Sequence, residues 1–154
     1  MMRKYVPSNI DGVIVTPLRI ISDERGAVLH MLRNDAEGYS KFGECYFSEV
    51  VPGKVKAWKR HAIQTQNFAV PIGMMRVVIF DDRPGSPTRS QIMEVDLGRP
   101  EAYNRITIPP LLWYGFRCIS KEIALLVNCA DYPYEKAESE TIDLYNPLIP
   151  YSWM

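Results

Sequence analysis

The chain carries only two histidines, and one of them, His61, lies in the run Lys59-Arg60-His61. An imidazole titrates near neutral pH and can take or give a proton there. In an extended run the side chains alternate, so Lys59 shares the face of His61 while Arg60 takes the other. On that face a lysine can hold a ketone oxygen or a phosphate, or it is a solvated strand-end cation. The run Phe80-Asp81-Asp82-Arg83-Pro84-Gly85-Ser86-Pro87-Thr88 concentrates charge after an apolar stretch. Arg83 is expected to pair with a neighbouring carboxylate and fix this turn, a structural duty. Cys45, Cys118 and Cys129 are an odd number without Cys-x-x-Cys spacing, so no disulfide framework or zinc knuckle is indicated, and buried thiols are expected.

Short apolar or alternating segments must position these groups. They run Val13–Val15, Ala27–Met31, Cys45–Val50, Val55–Trp58, Asn67–Val70, Met75–Phe80, Gln91–Leu97, Arg105–Ile108, Trp113–Ile119 and Ile123–Asn128. This spacing points to an all-β sandwich or barrel. The 12 prolines and 9 glycines fall mostly between the segments, where a missing donor or an unusual backbone angle is tolerated. A turn or two of helix is expected around Asp35–Lys41, and another near Glu135–Ile142. The aromatic tail from Tyr145 to Trp153 is expected to pack back on the barrel.

A chain of 154 residues suits one domain, taken here as 1–154. Lysine plus arginine equal aspartate plus glutamate at 18 each, and their scatter leaves no basic footprint for nucleic acid or a membrane surface. No apolar run approaches the ~20 residues of a membrane span, and Met1-Met2-Arg3-Lys4 is not followed by a signal-peptide core. A soluble cytoplasmic protein acting on a small molecule is the expectation.

Gly53-x5-Lys59-x-His61-x4-Gln66-x6-Gly73 reproduces the spacing of the first cupin motif, and Pro109 followed by Tyr114 echoes the second. Together with Asp23-Glu24-Arg25-Gly26, Asp82-Arg83-x-x-Ser86-Pro87-Thr88, Ile108-Pro109 before Gly115-Phe116, and Asn146-Pro147 ahead of Trp153, the chain resembles the dTDP-4-dehydrorhamnose 3,5-epimerase family. The resemblance runs from about Gly12 to Trp153 and is strongest to a shorter branch ending in Ile-Pro-Tyr-x-Trp. It implies a cupin-type double-stranded β-helix, or jelly roll, with few short helices. It also implies a homodimer in which the Asp-x-Arg-Gly strand helps build the partner's site, and a nucleotide-sugar ligand. The activity implied is epimerisation beside a ketone, which needs a base on one face, an acid on the other and donors to the enolate oxygen.

Within this resemblance His61 stands at the base position, Arg25 at the arginine that grips the diphosphate, and Glu24 in the same motif. Departures accompany these matches. Asn146 occupies the place of the aspartate that charges the base; Gln66 replaces a lysine, Val127 an acid tyrosine, and Tyr114 a second histidine. Tyr114 is the candidate enolate donor or acid, Lys59 the assisting cation, and Trp58 a stacking surface or core filler; Trp113 has the same choice. His30 is either a ligand contact or packing. With only His61 a good ligand among the four cupin positions, no metal and no cofactor are expected. The leading function is an epimerase or keto-isomerase of a nucleotide-linked 4-keto-6-deoxyhexose in deoxysugar or polysaccharide biosynthesis. The alternative is an impaired cupin that only binds a nucleotide sugar as sensor or accessory partner.

Overall fold

The computed structural model describes residues 8–154; the Met1–Lys4 segment lies outside them. The chain orders as β1 (Ile14–Pro17), β2 (Ile20–Asp23), β3 (Gly26–Leu29), β4 (Glu44–Val50), β5 (Val55–His61), β6 (Gln66–Ile72), β7 (Met74–Phe80), β8 (Ile92–Gly98), β9 (Asn104–Ile108), β10 (Trp113–Cys118), β11 (Ala124–Ala130) and β12 (Ser139–Thr141). A single 3₁₀ turn at Lys136–Glu138 precedes β12. The apolar and alternating segments named above become strands, with ends shifted by a few residues. Two strands had no such signal, β2 and β12. The helix expected at Asp35–Lys41 is a set of turns, and the one near Glu135–Ile142 is the 3₁₀ turn running directly into β12. Both segments lack the apolar stripe that would reward a longer helix.

The strands form two antiparallel sheets, β1-β9-β6-β11-β4 and β12-β5-β10-β7-β8, with β2 and β3 as a separate hairpin. This is the cupin jelly roll. Period-two alternation divides the side chains between an inner face and an outer one. Inside, Phe68, Val70, Val77, Ile79, Val95, Leu97, Ile106 and Leu126 make the main core. The outer face of the second sheet carries Trp58, Val78, Phe80 and Trp113 and is covered by Ile149 and Trp153 of the aromatic tail, as expected. The outer face of the first sheet carries Ala69, Tyr103 and Val127, against which Ile20 and Leu29 of the hairpin pack, with Leu18 and Met31. No helix among the described residues is long and apolar enough to cross a membrane.

The Asp81 turn is a closed network. One oxygen of its fully buried carboxylate accepts from the Arg83 backbone N–H at 3.0 Å and Nε at 2.9 Å. The other accepts from Arg83 Nη2 at 2.9 Å, Ser86 Oγ at 2.6 Å and Thr88 Oγ1 at 2.7 Å. This is why Asp-x-Arg-x-x-Ser-Pro-Thr reads as a unit, and it gives Arg83 its structural duty. Burial opposes ionisation of Asp81, but the bonds from Arg83, Ser86 and Thr88 outweigh it and hold the carboxyl far below its ordinary value. A lowered folded pKa stabilises above the unfolded value near 4, and this contribution is lost as pH falls through the folded one. Asp81→Asn is expected to cost about 3 kcal/mol and lower the melting temperature by roughly 10 °C at pH 7, the gap from wild type narrowing in acid. Thermal melts from pH 3 to 7 measure both.

The thiols depart from the expectation of burial. Cys118 is buried, but Cys129 is half-buried and Cys45 exposed, because the latter two sit opposite each other at the β4–β11 edge. The Cys129 thiol donates to Cys45 Sγ at 3.4 Å, and burial pushes its pKa up to about 12.

Candidate active site

Strand β5 brings Lys59 and His61 to the interior and sends Arg60 outward. There Arg60 pairs with Asp82 at 3.2 Å and Glu140 at 2.9 Å and lies over the Trp113 ring. The pairing with β10 is irregular: Tyr114 faces Lys59 but Phe116 faces Lys56, so three residues of β5 span two of β10. This bulge lets Lys56 and Lys59 line the same cavity, which strict alternation would forbid. Gly115 permits the close approach, because a Cβ there would lie 2.4 Å from Ala57 Cβ and 2.9 Å from Trp153 Cζ2.

The cavity has a volume of about 350 Å³ and is walled by Tyr46 and Ser48 from β4, Lys56 to Lys59 from β5, Tyr114 and Phe116 from β10, and Thr141 from β12. That volume lies within the range of small-molecule sites. A larger groove of about 790 Å³ runs beneath the tail, but the acid–base group described next borders the smaller cavity.

His61 is almost completely buried, and both ring nitrogens are engaged. Nδ1 bonds to a carboxylate oxygen of Glu138, and Nε2 lies 2.9 Å from the Tyr114 hydroxyl. The 3₁₀ turn and the pairing of Ser139 with His61 hold Glu138 in place. Its second oxygen accepts from the backbone N–H groups of Ile63 at 3.2 Å and Gln64 at 3.4 Å. Burial raises the Glu138 pKa, but the bonds from His61, Ile63 and Gln64 prevail and hold it below the ordinary range. For His61, burial outweighs the Glu138 carboxylate and moves the pKa down. Near neutral pH the pair is therefore a carboxylate and a neutral imidazole. A carboxylate only accepts, so Nδ1 carries the ring proton, and Nε2 accepts from the Tyr114 hydroxyl. Burial raises the Tyr114 pKa well above the ordinary phenol value. Its proton is directed to His61, leaving an oxygen lone pair at the cavity wall.

A second polar array crosses the barrel. Gln64 Nε2 donates to the Tyr132 carbonyl at 2.9 Å, Gln66 Nε2 to Gln64 Oε1 at 2.9 Å, and Asn128 Nδ2 to Gln66 Oε1 at 2.6 Å. Asn128 Nδ2 also donates to the Tyr46 hydroxyl at 3.0 Å, while its Oδ1 accepts from the Asn67 N–H. Every amide here is satisfied, as burial demands.

The structure thus brings His61, Tyr114 and Lys59 together, with Trp58 in the same wall. The Trp58 indole, however, packs on Trp153 and Tyr151 and donates to the Leu144 carbonyl at 3.3 Å, so its faces are committed to core. Gln66 is buried in the amide array and does not line the cavity. Asn146 does not reach the imidazole; its Oδ1 accepts from the Leu148 N–H at 2.9 Å in a turn under the tail. Glu138, not Asn146, is the group that meets the imidazole, because β12 pairs its segment with the end of β5. Arg25 and Glu24 lie at the exposed tip of the β2–β3 hairpin, where Arg25 pairs with Asp23 at 2.6 Å. Val127 faces outward into the hairpin-covered cluster, so no side chain at that position would enter the cavity. Sequence reasoning missed Tyr46, Ser48, Lys56, Glu138 and Thr141. Alternation within β4 could have paired Tyr46 with Ser48, but nothing local announces Glu138.

The inner wall of the jelly roll thus carries a carboxylate–imidazole–phenol series, an arrangement chemically able to move a proton. A sequence profile of the dTDP-4-dehydrorhamnose 3,5-epimerase family matches residues 7–154. The chain belongs to this family, and so to the sugar epimerases. Its fold superposes on the dTDP sugar isomerase of Desulfovibrio desulfuricans G20 with a TM-score of 0.91 and 49% identity, covering 94% of this chain and 92% of that one. It is 36% identical over 140 residues to the probable low-salt glycan biosynthesis epimerase Agl13 of Haloferax volcanii, covering 87% of this chain and 88% of the relative. A Streptomyces bikiniensis 3'-monoepimerase in complex with dTDP shares the fold at TM-score 0.84 and 21% identity, over 96% of this chain and 77% of that one.

Proposed function

We propose that the protein epimerises a carbon beside the ketone of a nucleotide-linked, dTDP-bound 4-keto-6-deoxyhexose, in the making of a deoxysugar for a glycan or polysaccharide. The observation that carries this reading is the Glu138–His61–Tyr114 series ending at the cavity. The Tyr114 oxygen takes the α-proton as its own proton passes to His61 Nε2. The C–H electron pair becomes the enolate, and the imidazolium forms beside the Glu138 carboxylate. A free buried phenolate, which is costly here, is never required. Lys59 and Lys56 place positive charge where the enolate oxygen or a phosphate would lie. Affinity to a dTDP sugar isomerase and to a glycan biosynthesis epimerase supports the substrate class and pathway.

The homodimer reading rests on the family resemblance, and within it Arg25, exposed at the hairpin tip, would contact a diphosphate in another copy of the chain. Exposed Ile21 and Val28 on the hairpin and Phe47 on edge strand β4 are apolar surfaces such a copy would cover. The binding-only alternative rests on the replacement of the family's aspartate, lysine and tyrosine, and Glu138 supplies a carboxylate in place of the first.

The test is incubation with dTDP-4-keto-6-deoxyglucose in heavy water, followed by NMR and mass spectrometry. Deuterium is expected at a carbon flanking the ketone, with an epimeric product; saturable binding without exchange would return the protein to the binder class.

A further inference from the structure

The amide array has a direction, and that direction decides what Tyr46 can do. At one end the Tyr132 carbonyl can only accept, so Gln64 presents its NH₂ there. At the other the Asn67 backbone N–H can only donate, so Asn128 presents its oxygen to it and its NH₂ to Tyr46 and Gln66. Both ends are main-chain groups with fixed roles, so no amide can be reversed without leaving a buried donor facing a donor. The Tyr46 hydroxyl is thereby made the acceptor from Asn128. Its own proton is donated to no protein group among the described residues, and Tyr46 lines the cavity.

Tyr114 is the mirror case. Its proton is committed to His61 and its lone pair faces the cavity. One phenol presents an acceptor and the other a donor, and they come from opposite sheets, since Tyr46 is on β4 and Tyr114 on β10. A sugar ring between the two walls would meet a base on one face and an acid on the other, as inversion at carbon requires.

We propose that Tyr46 is a catalytic residue, the acid that returns a proton to the enolate on the face opposite Tyr114 and His61. This rests on the epimerase reading above. In the step the Tyr46 O–H bond breaks, the proton joins the α-carbon, and the enolate electron pair forms the new C–H bond while the ketone is restored. The Tyr46 phenolate, transiently held by Asn128 Nδ2 and the nearby Lys56 and Lys59, regains a proton from solvent, to which this residue is 38% exposed. The imidazolium releases the abstracted proton through Tyr114, so the cycle closes without any other reactant. Position 127 cannot supply this acid because it faces outward, whereas Asn128 next to it faces in and holds Tyr46.

The experiment is Tyr46→Phe with dTDP-4-keto-6-deoxyglucose in heavy water, following exchange and epimer formation separately. The base half remains, so deuterium is expected to enter recovered substrate of unchanged configuration within about threefold of the wild-type rate, while epimer formation falls roughly 10²–10⁴-fold. Epimer formation at the wild-type rate overturns the proposal. So does an equal loss of exchange and epimerisation in a folded variant, which would assign the phenol to binding. A wild-type enzyme that neither exchanges nor epimerises defeats the parent reading instead, and with it this one. Trifluorotyrosine at position 46 keeps the ring and hydroxyl but acidifies the phenol. It is expected to bring the basic limb of the epimerisation rate to lower pH while leaving exchange in place, and an unmoved limb would count against Tyr46.

Discussion

His61→Asn is expected to remove solvent-deuterium incorporation and epimer formation together, each by roughly 10²–10⁴-fold. The asparagine amide can still face Glu138 or Tyr114, but it cannot accept a second proton at neutral pH. Without that capacity the Tyr114 hydroxyl must ionise alone, in a site where burial already holds its pKa well above the ordinary value. Binding should survive, because the ring lies behind Tyr114 and is absent from the cavity wall. The expected pattern is therefore a collapse of kcat with KM moved by less than about threefold. It also separates this variant from Tyr46→Phe, which keeps exchange. Full turnover by His61→Asn would sink the assignment of proton transfer to this residue.

The strands were legible because the segments from Cys45 to Asn128 combine β-branched and aromatic residues with frequent turn formers. Alternation correctly set Lys59 against Arg60. Carried three residues back, the same rule would put Lys56 on the opposite face, because a bulge changes the parity and no residue type there announces one. Glu138 was illegible for a different reason. It lies 77 positions from His61, and their meeting depends on β12, a three-residue strand whose Ser-Glu-Thr sequence carries no apolar signal. The family resemblance puts Asn146 at the place of the base-orienting aspartate, but its side chain is taken up by a local Asx turn. Tyr46 illustrates a third limit: a tyrosine on an edge strand reads as packing until the orientation of Asn128 is known, and that orientation follows from two backbone groups distant in sequence, the Asn67 N–H on β6 and the Tyr132 carbonyl in the loop after β11.

Glu138→Gln should lower kcat/KM by about 10³-fold, within the range of removing a general base, although no atom of the residue reaches the cavity. The backbone N–H groups of Ile63 and Gln64 both donate to one carboxylate oxygen. In the amide they hold the carbonyl oxygen at that place, which turns the NH₂ toward His61 Nδ1. Nδ1 must then accept, so the ring proton moves to Nε2 and meets Tyr114 as a donor; the lone pair that receives the Tyr114 proton is gone. The remaining activity should also change its pH dependence. Burial lowers the His61 pKa and the Glu138 carboxylate partly restores it, with Lys59 acting against protonation and Glu44 weakly for it. In the wild type the acid limb is accordingly expected below the ordinary histidine value near 6.5, since the base works only when neutral. Removing the carboxylate removes the main restoring charge and moves the limb further down. Folding stability should share the sign: a depressed histidine pKa costs stability as pH falls below 6.5, and the depressed Glu138 pKa adds a further loss below about 4.5. A merely structural Glu138 would lower stability without moving the limb, so profiles of kcat/KM between pH 4 and 8 for both proteins separate the two roles.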